Sequence, residues 1–285
     1  MQVIFVGTGA IGVPMACRIQ QAGHAVIGVD VFEASRQRAQ QHGIEAVSSI
    51  TQASAAEVVV VMVATPQQLQ ALVAEALPQV AGQHWVIMST VGPDAVRAAA
   101  AQLQAAGALV VDAPVTGGTA RASTGELVIF AAGDAEAIGK VTPVLQAMGS
   151  VSIVGAEIGA GQGIKVINQH LCSVHIVAAA EALSLAQSLG LDQAQVLKLV
   201  ERGAAGSWML SDRGPRMLEA TDVAVSSAIN IFVKDSGLVA EAATACHAEV
   251  PLLQVAHARY LAAAAAGLGQ RDDSRVIETW INPTG

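Results

Sequence analysis

The chain predicts an α/β protein: a doubly wound parallel sheet in the N-terminal part, then an all-helical domain joined to it by one long helix. Three observations carry this. Over roughly the first 155 residues, short β-branched runs alternate with helical stretches. Several of those runs are apolar without polar alternation, as expected of strands buried on both faces of a parallel sheet. Beyond them only helical patterns follow.

The expected strands are residues 3–6, 25–29, 58–63, 85–88, 109–111, 127–131 and 151–154. Between them, the Ala- and Gln-rich stretches 67–77 and 94–106 carry helical spacing. Glycines at 159, 161 and 163 then precede an unbroken helical stretch over 164–189, which Gly190 stops. At 1.5 Å per residue that helix is roughly 40 Å long. It is apolar on nearly every face, so other helices or another copy of the chain must cover it. Helices at 192–201, 224–246 and 251–266 follow, with Pro251 in a first turn and Gly267 closing the last. The domain boundary is expected near residue 160, giving domains 1–160 and 161–285.

Composition narrows the function classes. The 285 residues suffice for one large domain or two medium ones, and 53% hydrophobic against 13% charged excludes disorder. Fifteen Lys and Arg against 23 Asp and Glu give a net charge of −8, with no basic block to hold nucleic acid or an anionic membrane. The cysteines, Cys17, Cys172 and Cys246, form no C-x-x-C pair and point to a reducing compartment without structural zinc. His170 and His175 do not share a helix face, so no metal site is expected. Apolar stretches such as 172–186 are broken by Ser173, His175, Glu181 and Ser184, which argues against a membrane span. No basic region precedes residues 3–6, so no signal peptide is read there and a cytoplasmic protein is expected.

The first expected strand runs into Gly7-Thr8-Gly9-Ala10-Ile11-Gly12, a G-x-G-x-x-G that opens a helix. Glycines there permit a tight turn, close approach of a pyrophosphate and close helix–strand packing, and the helix N-terminus favours the anion. Asp30 ends the second strand 18 positions beyond Gly12. A carboxylate there accepts hydrogen bonds from an adenosine ribose and repels a 2′-phosphate. The expected N-terminal domain is therefore a Rossmann-type, NAD-binding one, although Arg36 and Arg38 are near enough to offer a phosphate a partner.

Two further segments carry chemistry. Asp112-Ala113-Pro114-Val115-Thr116-Gly117-Gly118 follows a strand, where open α/β sheets place ligand loops. Its paired glycines suit a small concavity of backbone N–H groups, or equally a plain turn. In Gly161-Gln162-Gly163-Ile164-Lys165-Val166-Ile167-Asn168, Lys165 and Asn168 share a helix face. Lys165 is expected in the first helical turn among apolar neighbours, where dipole and burial lower a lysine pKa. Standing alone, the same lysine would read as one snorkelling at a helix end. Lys234-Asp235 would ordinarily be a solvated pair.

These segments in this order resemble the β-hydroxyacid dehydrogenase family: the glycine motif, DAPVTGG at 112–118, GQGIKVINQ at 161–169 and FVKD at 232–235. The resemblance covers essentially the whole chain. It implies a dehydrogenase with NAD as cofactor and Lys165 as the catalytic proton carrier. It implies further that Thr116, Gly117, Gly118 and Asn168 hold substrate, and that Gly7, Gly9, Ala10, Ile11, Gly12, Asp30, Thr90 and Lys234 serve the cofactor. Thr116 departs from the serine more usual in the family. It keeps the hydroxyl and adds a methyl. The segments 174–186, 204–210, 229–239 and 265–277 are most similar to the L-threonate dehydrogenase branch. That implies a small hydroxy acid such as L-threonate as substrate, with 3-hydroxyisobutyrate dehydrogenase or tartronate semialdehyde reductase activity as the alternative. A homo-oligomer, dimer or tetramer, is expected. An imine or carbonyl reductase and a non-catalytic nucleotide-binding module are the rival classes, and a lysine at 165 speaks against both.

Overall fold

The computed structural model describes residues 1–219 and 223–281. The chain divides into two compact units, Met1–Lys165 and a second from Val166 onward.

In the first unit the elements run β1 (Gln2–Val6), α1 (Gly12–Gln21), β2 (Ala25–Val29), α2 (Glu33–Gln41), β3 (Glu45–Val47), β4 (Val58–Val61), α3 (Pro66–Ala76), β5 (His84–Ile87) and α4 (Pro93–Ala105). They continue through β6 (Leu109–Asp112), β7 (Val115–Thr116), α5 (Gly118–Thr124), β8 (Leu127–Gly133), α6 (Ala135–Gln146) and β9 (Gly149–Gly155) to the start of α7 (Ala160–Ser188). One sheet contains all nine strands among the described residues, in the order β3-β2-β1-β4-β5-β6-β8-β7, with β9 also on β8. The six strands from β3 to β6 are parallel, with Ile4 between Ile27 and Val59. Then the sheet reverses: β8 runs antiparallel to β6 and β7. No crossover helix joins β6 to β8. The short β7 and α5 fold the chain straight back, which an antiparallel pair permits and a parallel pair does not.

Alternate strand residues feed two separate cores. Val3, Phe5, Val58, Val60 and Val86 face one, closed by Met15 and Ile19 of α1 and Val141 and Leu145 of α6. Ile4, Val6, Val59, Val61 and Trp85 face the other, closed by Leu69 and Val73 of α3 and Val96 and Leu103 of α4. This double burial is why residues 58–61 are all valine. The two short strands β3 and β7 were not foreseen, because two or three residues leave no periodicity to read.

The second unit holds the rest of α7, α8 (Gln193–Val200), α9 (Trp208–Met217), α10 (Ile229–Ala245) and α11 (Pro251–Ala263). The Asp192 side chain caps α8 at Gln195 N, and Ser207 caps α9 at Leu210 N. Ile176, Val177, Ala180 and Leu183 of α7 pack with Leu197, Leu210, Phe232 and Tyr260. The Phe232 and Tyr260 rings stack with centroids 5.3 Å apart. By length and composition α7 is apolar enough to cross a membrane, and these four residues instead lie in the core of the helical unit. It begins at Ala160, four residues before the expected 164. Of the glycines that suggested a later start, Gly159 precedes the helix at φ +99°, Gly163 faces open space, and Gly161 is explained by close packing. A Cβ on Gly161 would stand 2.5 Å from the Phe130 carbonyl oxygen and 3.0 Å from that of Asp112.

Candidate active site

The three glycines of the first loop do different work. Gly7 sits at φ +95°, and a Cβ there would meet the Met62 carbonyl oxygen at 2.2 Å. Gly12 packs α1 down on the loop, its missing Cβ only 1.9 Å from the Gly7 carbonyl oxygen. At Gly9 a Cβ would meet nothing within 4 Å, so the backbone there faces open space. Tight turn, open backbone and helix packing are thus divided among them, the arrangement a dinucleotide loop needs. Ala10 and Ile11 complete the turn into α1.

Asp30, just past β2, joins this loop. Its Oδ2 accepts a hydrogen bond from Thr8 N at 2.9 Å and its Oδ1 one from Phe32 N at 2.9 Å. The carboxylate is therefore fixed beside the glycine turn. Arg36 donates from Nη1 to the carbonyl oxygens of Asp30 (2.8 Å) and Val31 (2.9 Å), so its guanidinium is engaged with the backbone of the same corner. These residues fit a dinucleotide.

Thr90 lies in the loop between β5 and α4, and both sides of that loop are tied to α7. Val91 N and Gly92 N donate to Gln162 Oε1 at 3.1 and 3.0 Å. Gln162 Nε2 donates to the Ser89 carbonyl oxygen at 3.0 Å and to Asp112 Oδ1 at 3.1 Å. The other oxygen, Asp112 Oδ2, accepts from Gly159 N and Gln162 N, each at 3.0 Å. Asp112 and Gln162 are both fully buried. Burial pushes the Asp112 carboxyl up from its ordinary value, against hydrogen bonds from Gln162, Gly159 and Gly161 that pull it down.

From Asp112 the chain leads directly to Thr116, Gly117 and Gly118. Thr116 pairs with Val128 across β7 and β8. Gly117 and Gly118 have φ of +131° and +67°, a backbone that L side chains rarely adopt. Lys165 is 7% exposed. Since α7 starts at Ala160, Lys165 stands in its second turn rather than the first. The helix-dipole contribution expected there is correspondingly weak, because it fades beyond the first turn. Burial remains.

Asn168 and Lys234 belong to the second unit. Asn168 Nδ2 donates to Gln169 Oε1 at 2.8 Å and to Cys172 Sγ at 3.4 Å. Gln169 Nε2 in turn donates to Asp235 Oδ2, and Lys234 Nζ pairs with Asp235 Oδ1 at 2.7 Å. Asp235 is buried, so this pair is not the solvated one that two adjacent charges suggest. Sequence reasoning missed the parts played by Asp112, Gln162, Gln169 and Asp235. Asp112 and Gln162 gave one visible signal, a polar residue lodged among apolar neighbours or glycines, whereas Gln169 and Asp235 lie between polar neighbours and gave none.

Among the described residues no three His, Cys, Asp or Glu side chains gather to hold a metal. A cavity of about 700 Å³ opens in the first unit beside Arg97, Leu109, Asp134 and Glu157. It lies at the start of β6, whereas the motifs above follow strand C-terminal ends, where such sheets bind ligands.

Residues 2–159 match the family described as the NAD-binding domain of 6-phosphogluconate dehydrogenase. Residues 159–280 match the family described as NAD-binding of NADP-dependent 3-hydroxyisobutyrate dehydrogenase. The chain is 37% identical over 279 residues to an L-threonate dehydrogenase of Cupriavidus necator, covering 96% of this chain and 94% of that protein. It is 31% identical to an NAD-dependent L-serine dehydrogenase of Pseudomonas aeruginosa, covering 99% and 98%. The crystal structure of a 3-hydroxyisobutyrate dehydrogenase from Salmonella typhimurium superposes with a TM-score of 0.90 at 32% identity, over 98% of this chain and 99% of that one.

Proposed function

Because the chain belongs to the β-hydroxyacid dehydrogenase family of 3-hydroxyisobutyrate dehydrogenase-like enzymes, and is an NAD(P)-binding hydroxyacid dehydrogenase, we propose that it oxidises a small polyhydroxy acid, L-threonate, with NAD. The observation that carries this reading is the near full-length likeness to an L-threonate dehydrogenase, whose activity is here extended to this chain.

In this reading Gly7, Gly9, Ala10, Ile11 and Gly12 cradle the diphosphate on the α1 N-terminus, and Asp30 takes the adenosine ribose. Thr90 and Lys234 serve the nicotinamide end. When bound, the dinucleotide supplies the two-electron chemistry, accepting the carbinol hydrogen with its electron pair. Lys165 does the rest of the bookkeeping: its neutral Nζ takes the hydroxyl proton as the carbonyl forms, and returns it in the reverse direction. Thr116, Gly117 and Gly118 hold the substrate carboxylate, and Asn168 a neighbouring hydroxyl. A site built to bond hydroxyls rejects analogues lacking them by large factors, whereas an apolar slot for a methyl discriminates by only about 1–3 kcal/mol. The relatives named for 3-hydroxyisobutyrate and L-serine make a three-carbon acid the second reading.

NAD is preferred over NADP in this proposal because Asp30 is fixed at the ribose corner, with Arg36 held by backbone carbonyls. Ile167, Leu171, Leu185 and Leu189, on α7 and just beyond it, are 48–65% exposed. A second copy of the chain would cover them, and a monodisperse monomer in light scattering would refute that.

The deciding experiment measures kcat/KM for L-threonate, D-glycerate, L-serine and 3-hydroxyisobutyrate with NAD and NADP in parallel. L-Threonate with NAD should lead, and a lead for 3-hydroxyisobutyrate or for NADP would overturn that part of the proposal. Lys165→Ala should lower kcat by about 10²–10⁴ while the NAD Kd moves by only a few-fold. Retention of more than about a tenth of the parent kcat would remove Lys165 from the proton path.

A further inference from the structure

We propose that Asp112 and Gln162 form a clasp that sets Lys165 against the Thr90 loop, making both of them positioning residues for proton transfer. The proposal rests on the reading of Lys165 as proton carrier.

A helix N-terminus ordinarily needs no such device. A Ser, Thr, Asp or Asn at the capping position satisfies it locally. Here the acceptor comes from Asp112, 47 residues before Gly159 and 50 before Gln162. The cap therefore fixes α7 to the end of β6, the strand that leads into residues 116–118. Gln162 then extends the connection to the loop after β5. Its carboxamide has two donors and two acceptor sites, and all four are used, toward Ser89, Val91, Gly92 and Asp112. A buried polar network satisfied this completely holds its members in one arrangement, and is costly when any partner is lost. A purely apolar contact would close the same gap without burying a carboxylate. What the clasp adds is direction: it registers three chain segments to one another. Lys165 follows Gln162 by three residues, about 4.5 Å along the helix axis. Any slip of that first turn is passed to its Nζ, and displacements near 1 Å cost on the order of 10²-fold in rate.

Gln162→Glu changes almost no volume, but it removes both donors and sets a carboxylate oxygen against Asp112 Oδ1. Among the described residues that bond to Gln162, Asp112 is the titratable one. Two carboxyl groups sharing that position take up a proton more readily than either alone, and the shared proton restores the lost hydrogen bond. The expected result is a kcat at least about tenfold below the parent near pH 8, with KM and the NAD Kd within about threefold. The ratio of variant to parent kcat should climb as the pH falls toward about 5.5. Gln162→Met, which also loses the amide but adds no charge, should show a similar loss with a ratio that stays flat. A merely structural role would not produce that contrast. Variants whose kcat stays within threefold of the parent, or a Gln162→Glu ratio as flat as that of Gln162→Met, would overturn the clasp. Should Gln162→Glu not fold, Gln162→Met decides by its kcat against its KM. Hydrogen exchange at residues 89–92 and 159–165 separates the two levels. If the parent turns over none of the acids, the functional reading fails, while joint loss of protection in Gln162→Met still reports the clasp and unchanged protection refutes it.

Discussion

Among the described residues, the buried charged side chains of the sheet-bearing unit are Asp112 and Lys165, both within the candidate site. In the helical unit Arg213, Asp235, Asp272, Asp273 and Arg275 are all buried, and only Asp235 bonds toward residues proposed to act on substrate or cofactor. Arg213 makes a two-pronged pair with Asp273, at 2.8 and 2.9 Å, and Arg216 bridges Asp272 and Asp273 at 2.9 and 3.3 Å. The difference follows from what each unit does with its backbone. A sheet satisfies its own N–H and C=O groups through the ladder, so its two cores are apolar. The segment around 271–277 has only one antiparallel bridge, Ala228–Asp272, and a single 3-10 turn, and its charges satisfy further backbone groups. Asp272 accepts from Ser226 N and Ser274 N, while Arg275 donates to the carbonyl oxygens of Glu219 and Arg216. The buried charges of the first unit lie in the candidate site. In the second they mainly hold irregular backbone in place.

The sharpest way to break this comparison is to strand a charge in the helical unit. Asp273→Ala leaves buried Arg213 with only the partly exposed Asp212 as a carboxylate partner and should cost about 3–5 kcal/mol in denaturant unfolding. Hydrogen exchange should show the loss in α9, α10 and residues 271–277. A change below about 1 kcal/mol would mean the network is ornamental. The complementary change, Arg213→Met with Asp273→Leu, should recover much of the loss, because apolar groups of similar volume often replace buried ion pairs at little cost. On the sheet side the smaller intrusion is Val60→Thr, which keeps the shape of a fully buried valine and adds one hydroxyl. A loss of about 1–3 kcal/mol is expected, read by the same denaturation. If Val60→Thr proved neutral, the claim that this core has no place for a polar group would fall.

The same contrast explains how much was legible in the sequence. Runs such as residues 58–61 announce a doubly buried strand, and the roles of Gly7, Gly9 and Gly12 follow from residue type and spacing alone. Local pattern carries that information. The start of α7 was misplaced, because Gly161 and Gly163 both read as breakers, whereas at Gly161 the carbonyl oxygens of Phe130 and Asp112 press against the helix. The reversal of the sheet at β8 was likewise invisible, since direction depends on how the connection packs. Asp112 and Gln162, like Arg213 and Asp273, are separated by 50 to 60 residues. Only the fold shows that they meet. Adjacent Lys234 and Asp235 illustrate the converse, a pair that reads as solvated surface and contains a buried carboxylate.

The finest distinction between the units lies in the sign of their response to acid. Burial pushes the Asp272 carboxyl up, but hydrogen bonds from Ser274 and Ser226 and the Arg216 guanidinium together hold it below the ordinary 3.8. A carboxyl lowered in the folded state contributes stability that is present above 3.8 and is lost as the pH falls through its folded value. Asp112 is the opposite case: burial holds it above 3.8, so its contribution is complete below that pH and declines as the pH rises through the folded value. Measured by urea unfolding between about pH 3 and pH 7, the stability lost in Asp272→Asn should therefore shrink toward acid, while that lost in Asp112→Asn should grow. Parallel trends would show that the two carboxylates are held alike. Opposed trends would separate the acid bound up with site geometry, which resists ionisation, from the acid bound up with backbone repair, which depends on it.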